Sequence, residues 1–389
     1  MSTLFESIKP LTVGQERLIN VLKDQGNEVV GVFGPTGTGK SFITVVYGIS
    51  AVLAGQYKRF IIARPLVDIT SGKLESPEAL GNLYYEVASQ YLYDILGDMV
   101  KKEDLEKLLR EGKVVVTDVN YLRGRTFDDS IILLDDAQHS PPENAAEVLM
   151  RMGRNARLII AGDPILQRPL GIEKDGATLM REVLLNEEKA MVIDLGLKDI
   201  VRPGAKRGLK LMFELRLRKR NLSDLEKKIM DSIRVHAPDA DVVTVVGFRD
   251  IKESLDIKSE SAPDAIVVAK EGYLGRVVGK GGERIKAVEN EVGLSLIRTI
   301  EMSLDFKQWI RSIHPVGWIT KHIVDVDFAG PELQVVLRKE MGAFVGPKGA
   351  YIRLLDRVFK RMLNIGVRAI EEEESRGESK PSEEQKSSG

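Results

Sequence analysis

Gly34-Pro-Thr-Gly-Thr-Gly39-Lys40-Ser41 follows the apolar run Val29–Phe33 and opens a stretch, Ser41–Leu53, with helical periodicity. The eight residues fit G-x-x-x-x-G-K-[ST] in full, and strand before, helix after is the context in which that pattern cradles phosphate. Glycines let successive backbone N–H groups converge on phosphate oxygens, and the helix N-terminus adds its dipole. Gly34, Pro35, Thr36, Gly37, Thr38, Gly39, Lys40 and Ser41 are therefore the expected nucleotide site. Lys40 is placed to reach the outer phosphates and Ser41 to hold Mg²⁺, which makes a nucleotide and Mg²⁺ the expected cofactors; the loop alone does not distinguish a kinase, a GTPase and a motor. A chance glycine-rich turn has no reason to carry both flanks.

Working outward, further Val/Ile-rich runs occur at Phe60–Ala63, Val114–Val116, Ile131–Leu134, Leu158–Ala161 and Met191–Leu195, with helical stretches such as Pro77–Leu96 and Glu143–Met152 between most of them. This alternation predicts an α/β fold with a mostly parallel sheet covered by helices. Ile131–Leu134 ends in Asp135-Asp136. A carboxylate at the end of a strand beside the phosphate loop binds Mg²⁺, which is the role given to Asp135; the next acid, Asp136, orients or deprotonates the attacking water. An acidic turn or helix cap is the plainer alternative for each. Leu158–Ala161 leads into Gly162-Asp163-Pro164 with Gln167 nearby, so Asp163 or Gln167 is a candidate γ-phosphate sensor, against a simple turn.

Beyond residue 201 the rhythm changes. Residues 202–220 hold eight Lys/Arg and one acid, mixed with Leu209, Phe213 and Leu217, which predicts a partly buried helix with a cationic face, for RNA backbone or for a neighbouring subunit. A polar helix, Ser223–Ile233, and a strand, Val242–Val246, follow, and Lys258–Pro263 reads as a linker into a new module. That module repeats. Gly279-Lys-Gly-Gly282 and Gly346-Pro-Lys-Gly349 align without a gap at a separation of 67 residues. After Ile370 the chain is Glu/Ser/Lys-rich and is expected to be disordered from 373 to 389.

At this point the residues resemble a known family. Thr12-x-x-Gln15, the phosphate loop, Ile61-Ile62-Ala63-Arg64-Pro65, Tyr121-Leu-Arg123-Gly-Arg125-Thr126-Phe127, Asp135-Asp136-Ala137-Gln138, Gly162-Asp163-Pro164 and Ile200-Val201-Arg202 stand in the order seen in PhoH-like ATPases, whose core is similar to that of superfamily 1 helicases. The resemblance implies a RecA-like P-loop domain over residues 1–220. It implies that Gln15 reads adenine, that Arg64 contacts nucleic-acid backbone, and that Arg202 is a γ-phosphate arginine in cis or in trans. It also implies RNA metabolism and a homo-oligomer, with a hexameric ring as one form. Surface salt bridges are the alternative for both arginines. The chain departs from the family in having Asp136 where Glu is usual, and in placing Gln at 167, one position later than usual.

The GXXG pair, with its flanking strands and amphipathic stretches, resembles KH domains, in which the loop lets the backbone approach single-stranded nucleic acid. This gives a connector at 221–261, a first KH module at 262–315 and a KH-like module at 316–372, hence two α+β modules after the α/β domain. Arg276, Gly279, Lys280, Gly281, Gly282 and Arg284 are the RNA-binding candidates of the first copy. Lys348 and Arg353 stand in like positions in the second, where Pro347 removes a backbone donor. Residues 262–372 carry 17 Lys+Arg against 14 Asp+Glu, which suits a narrow groove better than a broad basic face. Trp309 and Trp318 either stack bases or pack between the copies.

The remaining composition excludes function classes. Without cysteine there is no disulfide framework, thiolate zinc site, iron–sulfur cluster or thiol nucleophile. The four histidines lack metal-ligand spacing, no apolar run nears the ~18–20 residues of a membrane span, and the first residues lack the order of a signal peptide. A cytoplasmic ATPase that couples turnover to single-stranded RNA is the expected function. A nucleotide-switched RNA-binding adaptor is the alternative; a kinase leaves the GXXG pair unused, and a nuclease lacks clustered acids. The net charge of −1 over 389 residues hides a basic segment, a mildly positive repeat and an acidic tail.

Overall fold

The six apolar runs become six strands of one sheet: Val29–Phe33 (β1), Arg59–Ala63 (β2), Val114–Thr117 (β3), Ser130–Leu134 (β4), Arg157–Gly162 (β5) and Ala190–Asp194 (β6). The computed structural model describes residues 3–67, 74–75, 82–122, 126–166 and 174–372. The lateral order is β3-β2-β4-β5-β1-β6, and every neighbouring pair is parallel. Continuous apolar runs are what such strands need, because both faces are covered. β1, β4 and β5 are buried at every position. Consecutive side chains alternate faces. Val30, Phe60, Leu133 and Ile159 join a core with Leu18, Val46 and Leu92 of the helices Val13–Lys23 (α1), Lys40–Leu53 (α2) and Asn82–Leu96 (α3). Val29, Ile61, Ile132 and Leu158 face a second core with Val148, Met180 and Leu184. The expected α/β class is the observed one.

Contacts divide the chain into two compact units, residues 1–206 with 328–331 and the remainder. The helix Pro203–Arg218 (α4) begins in the first and continues into the second, burying Leu209, Phe213 and Leu217 as its pattern predicts. Much of its charge is paired within the chain: Arg218 with Glu214 and Asp241, and Lys210 with Glu271.

In the second unit, the helix Asp224–His236 (α5) precedes a three-stranded sheet of Val242–Gly247 (β7), Ala265–Ala269 (β8) and Ile297–Glu301 (β9). β8 lies at the centre, antiparallel to β7 and parallel to β9. Between β8 and β9 run the helices Leu274–Val278 (α6) and Glu283–Val292 (α7), joined by the first GXXG. Segment 221–261 is thus not a connector. It supplies α5 and β7, and Ile229, Ile233 and Val245 share a core with Val267, Val277 and Val288. The boundary expected at 262 falls inside a folded layer. Buried polar groups tie the same segment down. Glu226 accepts from the N–H groups of Gly247 (3.0 Å) and Ser223 (2.8 Å). Lys252 donates to Asp264 at 2.6 Å, and Asp264 also accepts from the N–H and hydroxyl of Ser295.

After the helix Phe306–Ile313 (α8), Ile323–Ala329 (β10), Glu332–Leu337 (β11), Met341–Val345 (α9), Ala350–Leu363 (α10) and Gly366–Glu371 (β12) build the second copy. Its sheet order is β10-β11-β12, with β11 parallel to β12. The 67-residue offset places α6 on α9 and the first residue of α7 on that of α10. Trp309 is 1% exposed and packs beside Phe306, whereas Trp318 is 49% exposed. The expected disordered tail, 373–389, lies outside the described residues.

Burial opposes ionisation of Asp264, but the hydrogen bonds from Lys252 and Ser295 outweigh it and hold the carboxyl below its usual pKa. A depressed carboxyl contributes stability above its unfolded value of about 4 and loses it as pH falls through the folded one. Asp264→Ala should therefore destabilise the second unit by about 3 kcal/mol near neutrality, mainly by leaving Lys252 unpaired. Urea unfolding of the full chain should show the variant and the parent converging below about pH 4.

Candidate functional site

The first unit gathers its polar residues at one edge. Ala63 pairs with Leu134, Leu134 with Ile160, and Phe33 with Gly162, so the strand ends fall level in two pairs along one edge, β2 with β4 and, two residues further on, β1 with β5. The residues that follow them, Gly34, Arg64, Asp135 and Asp163, therefore stand side by side, where ligands of open α/β sheets bind. A cavity of about 1050 Å³ opens there, lined by Lys40, Ser41, Arg64, Asp136, Asp163 and Arg202 among others.

The phosphate loop has the backbone its glycines predict. Gly37 and Gly39 lie at φ 89° and 88°, in the left-handed region that favours glycine. Asp163 accepts the Thr36 N–H at 3.2 Å and, through its other oxygen, the N–H groups of Ile165 and Leu166. Lys40 Nζ bends back to the carbonyls of Gly34 (2.7 Å) and Pro35 (3.0 Å). Burial lowers the Lys40 pKa against the opposing pull of Asp163, Asp135 and Asp136. Ser41 Oγ donates to Asp135 Oδ1 at 3.1 Å. Asp135 is 2% exposed, and burial, then the charge of Asp136, raises its pKa. A lysine held on loop carbonyls, a left-handed glycine loop at a helix N-terminus and a hydroxyl beside a buried carboxylate fit a nucleotide phosphate with a hard divalent metal.

Asp136 sits at φ 52°, ψ 43°, a left-handed conformation that Asp tolerates better than most side chains. Its Oδ2 accepts from Arg64 Nε (2.8 Å) and Nη2 (2.7 Å), and its Oδ1 from Gln138 Nε2 (3.2 Å). Gln138 Oε1 in turn accepts the Asp163 N–H at 2.9 Å. Arg64 lies over the ring of Tyr91, 4.2 Å from its centre. The Tyr91 hydroxyl donates to Asp135 Oδ2 at 2.5 Å.

In the second unit the two GXXG loops share one backbone. Gly279 and Gly346 have φ/ψ of 75°/174° and 74°/175°. The third position is left-handed in both, Gly281 at φ 61° and Lys348 at φ 51°. Lys348 is thus the counterpart of Gly281, not of Lys280, whose place is taken by Pro347. The expectation of like positions is corrected on this point: the second loop offers its cation one residue later. A Cβ on Gly279 would lie 2.6 Å from the Arg284 side chain, and one on Gly346 2.4 Å from Tyr351. Arg276 and Arg284, expected to flank the groove, both engage Asp239: Arg284 its carboxylate at 2.5 Å, Arg276 its carbonyl at 3.3 Å. Lys280 is exposed. Arg353 donates to the Lys348 carbonyl at 2.6 Å, within its own loop.

A PhoH-like protein profile matches residues 7–214, more than half of the chain. The chain belongs to the PhoH-like family. A KH-domain profile matches residues 241–311. The chain is 32% identical to the PhoH-like protein of Bacillus subtilis (strain 168) over 204 residues, 51% of this chain and 61% of that one. It is 30% identical to the PhoH-like protein of Mycobacterium leprae (strain TN), over 51% of this chain and 56% of that one. The match thus spans about three fifths of these relatives' length. Among solved structures, the Hef helicase domain of Pyrococcus furiosus is similar at a TM-score of 0.28 and 12% identity, covering 72% of this chain and 53% of that one.

The remaining expectations for this PhoH-like chain divide. Arg202 lines the cleft, and its N–H donates to the Gly37 carbonyl at 3.3 Å. Gln167 and the Arg123-Gly-Arg125 core of the family block lie outside the described residues. Gln15 holds the loop: its Nε2 donates to the Thr38 carbonyl at 2.9 Å, and its Oε1 accepts the Leu11 N–H at 2.9 Å. Four residues were not anticipated. Tyr91 comes from α3, where nothing in the sequence distinguishes it from its neighbouring tyrosines. Gln138 stands inside the quoted Asp135–Gln138 block, yet its spacing alone assigns no role. Asp199 accepts the Gly14 N–H at 3.1 Å and fixes the start of α1. His139 lines the cleft with its pKa lowered by burial. No helix among the described residues is long and apolar enough to cross a membrane.

Gln15→Ala should loosen the phosphate loop without touching base selection. Affinity for ATP and for GTP should fall together, by about fivefold to tenfold, in titrations with fluorescent analogues of each. A loss confined to ATP would return Gln15 to the adenine edge.

Proposed function

We propose that this PhoH-like chain is a Mg²⁺-dependent ATPase that binds single-stranded RNA through its GXXG modules and couples ATP turnover to its grip on RNA. The observation that supports it most is the meeting of Lys40 and Ser41 with Asp135 at one sheet edge, in a chain that also carries two GXXG loops of matching backbone. Ser41 and Asp135 would hold Mg²⁺, which supplies charge neutralisation for the phosphoryl group being transferred. Lys40 would leave the loop carbonyls for phosphate oxygens. Asp136 would orient water, and Arg202 would add positive charge from the same chain or a neighbour's. Lys280 would meet RNA phosphate beside the open Gly281-Gly282 backbone, while Lys348 would do so less favourably, because Pro347 lacks an N–H. An assembly of several copies, a ring among them, and a cytoplasmic setting belong to the same reading.

One observation favours a second reading, a nucleotide-switched adaptor with little turnover: both oxygens of Asp136 are engaged by Arg64 and Gln138. Single-turnover ATP hydrolysis separates the two, since an adaptor holds ATP uncleaved while an ATPase completes its turnover.

Steady-state hydrolysis should rise when a single-stranded oligoribonucleotide is added. Lys40→Ala should abolish hydrolysis and leave RNA affinity nearly intact. Lys280→Asp should weaken RNA binding about tenfold by opposing phosphate with charge, and keep the RNA-free ATPase rate. Equal turnover with and without RNA would count against coupling.

A further inference from the structure

The contacts around Asp136 bear on how that turnover would be controlled. A carboxylate that is to orient water needs a free lone pair aimed at the water. Here both acceptor sites of Oδ2 are taken by Arg64, and Gln138 takes one of the two on Oδ1, so Oδ2 is closed to water while Arg64 holds it. The engaged cation is not sealed in: the Arg64 side chain is 31% exposed and lines the cleft. One face of the guanidinium is covered by the Tyr91 ring. A guanidinium presents several N–H groups in a fixed fork that suits phosphate oxygens as well as it suits a carboxylate. Arg64 can therefore exchange Asp136 for another fork-shaped anion without leaving its seat.

We infer that Arg64 and Tyr91 form a restraining pair: Tyr91 positions the metal-facing carboxylate of Asp135 and seats Arg64, and Arg64 withholds Asp136 from water until a nucleic-acid phosphodiester takes its guanidinium. Tyr91 acts here as a positioning residue, through its contacts with Asp135 and Arg64. The relation between its two contacts gives the pair its function. One ring carries a hydroxyl on the first acid and a cation on the second, so the two carboxylates are set together. The inference rests on the reading of this site as an RNA-coupled ATPase and adds the element through which RNA would act. Both a phosphodiester and the outer phosphate of ATP could compete for the same fork. The pair restrains basal turnover only if the competitor is not ATP itself, and this gives the test its sign.

The test measures ATP hydrolysis by the full chain with and without a uridine 20-mer, alongside binding of a fluorescent ATP analogue. Arg64→Gln should accelerate RNA-free hydrolysis about fivefold, bring the ratio of RNA-stimulated to RNA-free rate close to one, and leave analogue affinity within about twofold of the parent. Arg64→Lys, which keeps the charge but not the fork, should fall between the two. Tyr91→Leu removes the seat and should lower the stimulation ratio as Arg64→Gln does. Tyr91→Phe keeps the ring and should retain the ratio, while the Mg²⁺ concentration needed for half-maximal analogue binding rises. A slower RNA-free rate in Arg64→Gln together with weakened analogue binding would assign Arg64 to the nucleotide and overturn the inference. So would an unchanged stimulation ratio in that variant. A parent enzyme indifferent to RNA would instead overturn the RNA-coupled reading; Arg64→Gln accelerating RNA-free hydrolysis would even then support the restraint on Asp136.

Discussion

The constraint on which the rest depends is the hydrogen-bond register of the parallel sheet. β2 and β4 end level, β5 and β1 end two residues further on, and the ladder between β2 and β4 runs one step beyond the strands, where the Asp135 N–H donates to the Ala63 carbonyl at 3.0 Å. That single bond decides which way Asp135 points. Because successive side chains alternate faces, a slip of one residue would turn the Asp135 carboxylate away from Ser41 and bring Asp136 round in its place. The cost of such a slip is the burial of β4, whose residues Ile131, Ile132, Leu133 and Leu134 lie alternately in one core and the other. The chemistry at the edge thus borrows its precision from apolar packing well below it.

Where the sequence was legible, the physics was one-dimensional. Runs of Val and Ile buried on both faces read as strands whatever surrounds them, and the phosphate loop carries its own flanks. Asp135 follows from the strand it ends. Arg64, Asp136, Asp163 and Arg202 were also named and line the cleft, but the groups they bind were not legible, because those partners meet only across elements. Tyr91 is one aromatic among several on α3, Gln138 acts by bridging Asp136 to Asp163, and Gln15 reaches a carbonyl of Thr38 that no pattern announces. The helix and strand expected in the connector at 221–261 are present, and the start of the helix was readable. Ser223 and Glu226 form a capping box, the S-x-x-E spacing that opens a stable helix. The strand Val242–Val246 was also read, but its partner, β8, lies beyond a Ser-rich loop that looked like a boundary.

The repeated GXXG loops show backbone and chemistry separating after duplication. Their angles agree within a few degrees at the first glycine, yet the third position holds glycine in one copy and Lys348 in the other. A left-handed non-glycine residue costs about 1 kcal/mol, so the second loop is held by what surrounds it. Tyr351 stands where Arg284 stands in the first copy and packs against the buried His314. The two tryptophans divide in the same way, Trp309 inside and Trp318 largely outside.

The pairing of Arg276 and Arg284 with Asp239 has a consequence in the language of polyelectrolytes. A cation that meets a nucleic-acid strand bare releases a condensed counterion, and the number released sets how steeply affinity falls with salt. Asp239 already serves Arg284 as a built-in counterion and gives its carbonyl to Arg276. In the proposed RNA complex, an encounter that displaces it would trade one protein anion for one phosphate, and the gain in ion entropy would come from Lys280 and from Arg276, which meets only a carbonyl. The first GXXG groove is in that sense pre-screened: three cations are visible in the sequence, but fewer than three would count toward the salt slope of such a complex.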